Sequence, residues 1–106
     1  RALIATGFSY DGADRDAQAK LVSKLLLEIS DLRRIGAGAA DLCLVAMGRL
    51  DAFYELGLNE WDIAAGGLIA TESGALLTGR NGGPAGKEMV IAAGPHLHAR
   101  LVSEIG

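Results

Sequence analysis

The sequence contains few of the residues that would crosslink its fold or anchor it in a membrane. It has one cysteine, Cys43, so no disulfide can form within the chain, and this usage suits a reducing cytoplasm. No apolar run approaches the roughly 18 to 20 residues that a membrane span requires. The composition therefore predicts a cytoplasmic protein without a membrane segment.

An excess of basic charge is also missing. Ten lysines and arginines stand against thirteen aspartates and glutamates, which leaves a formal charge of -3. Surfaces that bind nucleic acids or anionic membranes need a basic patch, so neither partner is expected. A chain of 106 residues fits one domain or a piece of one, with a modest core.

Short apolar runs alternate with helical patterns along the whole chain. Strands are predicted at residues 2–6, 32–35, 51–56, 75–78 and 89–93, and helices at 15–30, 39–47, 62–73 and from 95 onward. Residues 10–16 are predicted to be a loop. In the third helix, Gly66 and Gly67 each cost roughly 1 kcal/mol of helix propensity, so close packing must compensate. The alternation predicts an α/β fold, or another fold in which helices are layered on a sheet.

The most informative stretch is ELGLNEWDIAAG, residues 55–66. It places Glu55 at the end of a strand and Asp62, next to Trp61, at the start of a helix. Two such carboxylates can meet at the edge of a sheet, where Mg²⁺ takes one or two carboxylate ligands. Asp62 can equally be the helix cap, Glu55 a solvated charge at the strand end, and Trp61 a packing anchor.

A second candidate is the run Gly36, Ala37, Gly38 between a strand and a helix. Residues with little or no side chain let the backbone approach a ligand, and the helix start offers free N–H groups. The alternative is a tight turn with close helix packing. His96 and His98, two residues apart in the last helix, are predicted to be surface residues, and Cys43 to be a buried, inert thiol.

At these residues the sequence resembles the inositol monophosphatase family of Mg²⁺-dependent phosphatases, especially its bacterial members. The similarity covers ALIATGFSY, RRIGAGAADLCLVAMGRLDAFYE and WDIAAGGLIATESGA, and it continues through GGP and VIAAGP to the last helix. A WDxAAG run spaced behind a GRxDAxxE strand is a specific signal.

The resemblance implies an α/β fold that is a layered α-β-α sandwich of the sugar-phosphatase type, and it implies roles for individual residues. Asp62 matches the catalytic aspartate that ligates Mg²⁺ near the scissile ester oxygen, and Glu55 matches a glutamate that hydrogen-bonds an inositol hydroxyl. Gly36, Ala37 and Gly38 match a turn whose backbone lines the inositol site. Family members usually carry Ser or Thr followed by Ala where this chain has Ala37 and Gly38, so a hydroxyl contact at position 37 is lost.

The family's other metal-binding motif, Asp-Pro-(Ile/Leu)-Asp-Gly-Thr with an upstream glutamate, occurs nowhere in the sequence. We therefore interpret residues 1–106 as the C-terminal part of such a phosphatase, which is inactive alone and forms a homodimer when complete. The expected substrate is a small phosphorylated polyol, first of all myo-inositol monophosphate. Fructose-1,6-bisphosphate, histidinol phosphate and a 3′-phosphoadenosine nucleotide stay open as substrates, as does a non-catalytic fragment or dimerisation module.

Overall fold

The structure is a computed structural model that describes residues 2–7, 12–29, 31–34 and 38–106. Within those residues, five strands and four helices follow one another along the chain. They are β1 (Leu3–Thr6), α1 (Gly12–Leu25), β2 (Asp31–Arg33), α2 (Gly38–Ala46), β3 (Ala52–Glu55), α3 (Glu60–Glu72), β4 (Leu76–Thr78), β5 (Val90–Ala93) and α4 (Pro95–Ile105). A 3-10 turn at Arg80–Gly82 separates β4 from β5. Each strand and helix overlaps a segment of the same type that the sequence predicts, although several begin or end at other residues.

The strands form one mixed sheet in the order β2-β1-β3-β5-β4. Strand β1 runs parallel to β2 and β3, whereas β5 runs antiparallel to β3 and β4. Parallel neighbours need a crossover connection, and α1 and α2 lie in the connections that lead from β1 to β2 and from β2 to β3.

Helices cover both faces of the sheet, so the core has two halves. One half packs Leu25 of α1 and Leu101 of α4 against the sheet. The other packs Leu42 of α2 and the residues around α3 against the opposite face. This arrangement confirms the predicted three-layer α/β fold.

Strand β3 shows how the sequence divides its residues between the two halves. Successive side chains of a strand point to opposite faces. Ala52 and Tyr54 accordingly belong to the core half under α1 and α4, and Phe53 belongs to the other half. All three are buried, because β3 lies in the middle of the sheet.

Helix α1 differs most from its prediction. It begins at Gly12, inside the segment predicted to be a loop, and Asp14 in its first turn suits the positive end of the helix dipole. It ends at Leu25 rather than at residue 30, and the turn that follows buries Ile29 while leaving Leu27 80% exposed. The apolar spacing continues beyond the helix because the turn returns Ile29 to the core. No helix within the described residues is both long enough and apolar enough to cross a membrane.

Helix α3 packs closely against the sheet at its glycines. Gly66 and Gly67 are both buried, and a Cβ atom on Gly67 would lie 2.7 Å from Leu77 Cδ2 of β4. The missing side chain therefore lets the helix approach the sheet, which confirms the predicted compensation by close packing.

Candidate functional site

The carboxyl ends of β1 and β3 lie side by side at one edge of the sheet. Parallel pairing sets Thr6 beside Tyr54, so the residues that follow in register, Gly7 and Glu55, are also neighbours. Strand β5 begins at the same edge, where Val90 pairs with Glu55. Ligands of α/β sheets bind outside the carboxyl ends of the strands, and this edge is therefore the candidate site.

Glu55 is half-buried at this edge and is surrounded by charge. It is on the Phe53 side of β3, the side that α2 and α3 cover. Burial raises the pKa of the Glu55 carboxyl, the charges of Asp41 and Asp62 raise it further, and the Arg34 guanidinium lowers it. Glu55 is therefore only partly solvated, which differs from the alternative interpretation of a solvated charge at the strand end.

Asp62 lies in the first turn of α3 but does not cap the helix. The N-cap is Asn59, whose Oδ1 accepts a hydrogen bond of 3.0 Å from the backbone N–H of Asp62. The cap interpretation of Asp62 is wrong because the helix begins at Glu60, two residues before the predicted start. No hydrogen bond or ion pair with another residue in the described ranges engages the half-buried Asp62 carboxylate, which leaves its oxygens available to a ligand.

Asp41, on α2, is a third acid of the site and one that the sequence analysis missed. Its side chain is 0% exposed, and neither carboxylate oxygen has a hydrogen-bond partner within the described structure. Burial raises its pKa to about 6, and its charge acts on Glu55. The sequence feature that could have identified Asp41 is that it is the single charged residue in the otherwise apolar run of residues 39–46. The carboxyl groups of Asp41 and Asp62 therefore both act electrostatically on Glu55 at this edge.

The glycine run can be followed only in part. Gly36 and Ala37 lie outside the described residues. Gly38 is the first residue of α2 and is buried, and a Cβ atom there would overlap Leu58 Cδ1 and lie 3.2 Å from Leu58 Cγ. A side chain at position 38 would therefore have to displace the buried Leu58, so close packing favours glycine there, as the alternative interpretation of this run proposed. Its backbone role toward a ligand stays a prediction.

Three other side chains differ in their burial from what the sequence predicts. Trp61 is 83% exposed, so it is not a packing anchor among the described residues. His98 is not a surface residue: it is buried against the sheet, where its Nε2 lies 2.8 Å from Thr78 Oγ1 in a hydrogen bond. His96 is exposed as predicted, and Cys43 is half-buried rather than fully buried.

The described residues do not by themselves form a complete metal centre. No group of three or more histidines, cysteines, aspartates or glutamates in the described part of the chain is arranged to hold a metal ion. Mg²⁺ takes oxygen ligands and is commonly bound by one or two carboxylates together with water and phosphate oxygens. The unengaged Asp62 carboxylate fits Mg²⁺ as one ligand among several.

Comparison with known proteins places this geometry in a family. The model of the inositol monophosphatase family matches residues 1–106. The chain belongs to the inositol monophosphatase family. It is 47% identical over 106 residues to the inositol-1-monophosphatase of Mycobacterium leprae, which covers 98% of this chain and 36% of that protein. It is also 43% identical over 83 residues to a Nus factor SuhB of Vibrio cholerae, which covers 77% of this chain and 31% of that protein.

Solved structures of family members share the fold. Mycobacterium tuberculosis SuhB superposes with a TM-score of 0.84 at 44% identity, over 98% of this chain and 40% of that one. An extragenic suppressor protein SuhB from Bartonella henselae superposes with a TM-score of 0.90 at 34% identity, over 98% of this chain and 41% of that one. The chain therefore spans about two fifths of the length of its relatives, and the predicted resemblance is confirmed.

Proposed function

We propose that residues 1–106 form the C-terminal part of a Mg²⁺-dependent phosphatase that hydrolyses a phosphate monoester, with myo-inositol monophosphate as the preferred substrate. The observation that supports this most strongly is the half-buried Asp62 carboxylate, unengaged by other described residues and close enough to Glu55 to raise its pKa. A carboxylate without a partner beside a second acid is suited to a cation.

In this proposal Asp62 would hold Mg²⁺ on the leaving-group side of the substrate. When bound, the ion supplies activation of a water molecule and neutralisation of negative charge on the phosphoryl and leaving oxygens. Asp62 can do this without loss of helix stability, because Asn59 caps α3. The other ligands would come from polypeptide that carries the family's second metal-binding motif.

Glu55 binds the polyol part of the substrate. Its carboxylate accepts a hydrogen bond from a substrate hydroxyl, and the Arg34 charge nearby favours the ionised form that accepts. The backbone of Gly36, Ala37 and Gly38 completes the polyol pocket. Because position 37 is alanine, this pocket relies on backbone groups and on Glu55 for its polar contacts.

Two alternative functions predict different results when phosphate release is measured. The first is a sister phosphatase for fructose-1,6-bisphosphate, histidinol phosphate or a 3′-phosphoadenosine nucleotide, although Glu55 favours a polyol over a nucleotide. The second is a non-catalytic or dimerisation module, which is favoured by the absence of a three-residue metal cluster among the described residues. We further propose that the complete protein is cytoplasmic and forms a homodimer.

The deciding experiment measures phosphate release by the purified complete protein. Each candidate ester is supplied with Mg²⁺ and, as the control, with an excess of chelator. The proposal predicts the highest kcat/KM for inositol monophosphate and complete dependence on Mg²⁺. A preference for the nucleotide would support the sister phosphatase, and no metal-dependent release from any ester would support the non-catalytic module.

A further inference from the structure

Gly7 contacts the Glu55 carboxylate at the sheet edge. A Cβ atom built on Gly7 would overlap Glu55 Oε1, and it would lie 2.6 Å from Glu55 Cδ and 3.0 Å from Oε2. Real Cβ atoms essentially never approach another heavy atom this closely. The whole carboxylate group therefore occupies the space that a side chain at position 7 would need.

Conformational freedom does not explain the glycine at position 7. The described glycines with a φ in the left-handed region are Gly48, Gly57, Gly74, Gly82 and Gly106, and Gly7 is not among them. An L-amino acid can therefore adopt the backbone conformation of Gly7. What the position requires is the absence of a side chain.

The backbone of Gly7 is also fixed in place. Parallel pairing of β1 with β3 sets its position relative to Glu55. On the other side, the buried Gln18 of α1 donates a hydrogen bond of 3.2 Å from Nε2 to the carbonyl oxygen of Gly7. Because the peptide is held by both the sheet and α1, a side chain at position 7 would displace the Glu55 carboxylate rather than the backbone.

We propose that Gly7 is a specificity-determining position. It sets where the Glu55 carboxylate lies and thereby which substrate hydroxyl can donate a hydrogen bond to that carboxylate. This inference rests on the proposed role of Glu55 in binding a polyol phosphate. Since the displaced group is the end of a flexible side chain, the cost of substitution falls on substrate recognition more than on folding.

The test compares Gly7→Ala with Gly94→Ala in the complete protein. Gly94 also directly follows a strand, its φ is -60°, and a Cβ atom there would have no atom within 4 Å. It lies at the opposite edge of the sheet, because Ala93 pairs with Ala52 at the start of β3. Two esters are assayed: inositol monophosphate, and p-nitrophenyl phosphate, which offers no polyol hydroxyl.

Gly7→Ala is expected to raise KM for inositol monophosphate by about 10- to 100-fold, because the substrate loses one hydrogen bond to a charged group. The kcat for that ester and the KM for p-nitrophenyl phosphate should not change. Glu55→Gln should give the same pattern, and the double variant should lose no more than either single variant, because both act on one contact. Gly94→Ala should leave both esters unaffected.

Crystal structures of the parent and of Gly7→Ala give a readout that does not depend on activity. They should show the Glu55 carboxylate displaced while β1 keeps its register. An unmoved carboxylate, or an equal change in KM for both esters, would overturn the inference. If the parent hydrolyses no inositol monophosphate, the proposed function fails and the selectivity role of Gly7 fails with it, while the crystal structures still decide the steric relationship.

A second variant covers the case in which Gly7→Ala does not fold. Combining it with Glu55→Asp withdraws the carboxylate by one methylene and should restore folding, as measured by thermal denaturation. Failure of the combined variant to fold would show that Glu55 is not the group that excludes a side chain at position 7, and would overturn the inference.

Discussion

At the start of α3, the Asn59 side chain caps the helix, whereas the Asp62 carboxylate takes no part in the cap. The side-chain oxygen of Asn59 accepts the 3.0 Å hydrogen bond from the Asp62 backbone N–H, so Asn59 caps the helix. The Asp62 carboxylate makes no hydrogen bond or ion pair within the described ranges. Stability and the proposed metal binding can therefore be tested by separate substitutions in the same turn.

Replacing Asn59 by alanine should lower the free energy of unfolding by about 1 kcal/mol, because α3 loses its cap. Urea-induced unfolding in metal-free buffer measures the change. Asp62→Asn is the matched substitution, and it should stay within about 0.5 kcal/mol of the parent, because the Asp62 side chain makes no hydrogen bond or ion pair within the described ranges and its backbone N–H still binds the cap. A larger loss for Asp62→Asn than for Asn59→Ala would contradict the assignment of the cap.

Asp41 should make the protein less stable as the pH rises from about 4 to 6 in metal-free buffer. Its folded-state pKa of about 6 lies above the ordinary value of 3.8, so the folded state binds the proton more tightly in this range. Asp41→Asn should remove this decline and raise the free energy of unfolding at pH 7 by about 1–3 kcal/mol. Glu88→Gln, at an exposed position, is the control. Parallel pH profiles for the parent and Asp41→Asn would contradict the prediction.

His98 should change the pH dependence of stability in the opposite direction to Asp41. Burial lowers its pKa, so the unfolded state binds the proton more tightly, and stability should fall as the pH drops below the ordinary value of 6.5. His98→Gln should flatten this part of the profile, measured as the urea midpoint between pH 5 and 7. His96→Gln, at an exposed position in the same helix, should leave the profile unchanged. Equal effects of the two substitutions would contradict the role of burial.

The 106-residue chain alone should show no Mg²⁺-dependent phosphatase activity. The described residues contain no cluster of three metal-ligating side chains, and the sequence lacks the family's second metal-binding motif. The measurement is phosphate release from inositol monophosphate by the purified chain, with the complete protein assayed at the same concentration as the control. Turnover by the chain alone would show that its own residues suffice for catalysis.

The sequence was sufficient to predict the layers of the fold but not the surroundings of single side chains. Periodicity identified each described strand and helix, because apolar spacing reports which face is buried. It could not distinguish His98 from His96, because burial of His98 depends on Thr78, twenty residues away in the chain.

For the site, the sequence brought Glu55 and Asp62 together but missed Asp41 and Gly7. A buried acid and a steric contact arise from pairing between distant strands and helices, which local spacing does not encode. The start of α3 was misplaced by two residues, and this shift transferred the cap from Asn59 to Asp62 in the prediction.

The most direct test of the account is the Mg²⁺-dependent turnover of inositol monophosphate by the complete protein and by its Asp62→Asn variant. Both should unfold at the same urea concentration, since Asn59 still caps the helix. We expect the parent to be active and the variant to lose most of its turnover, at least about 100-fold in kcat/KM or roughly 2.7 kcal/mol. Unchanged Mg²⁺-dependent turnover in Asp62→Asn would contradict the central claim that this carboxylate holds the metal ion.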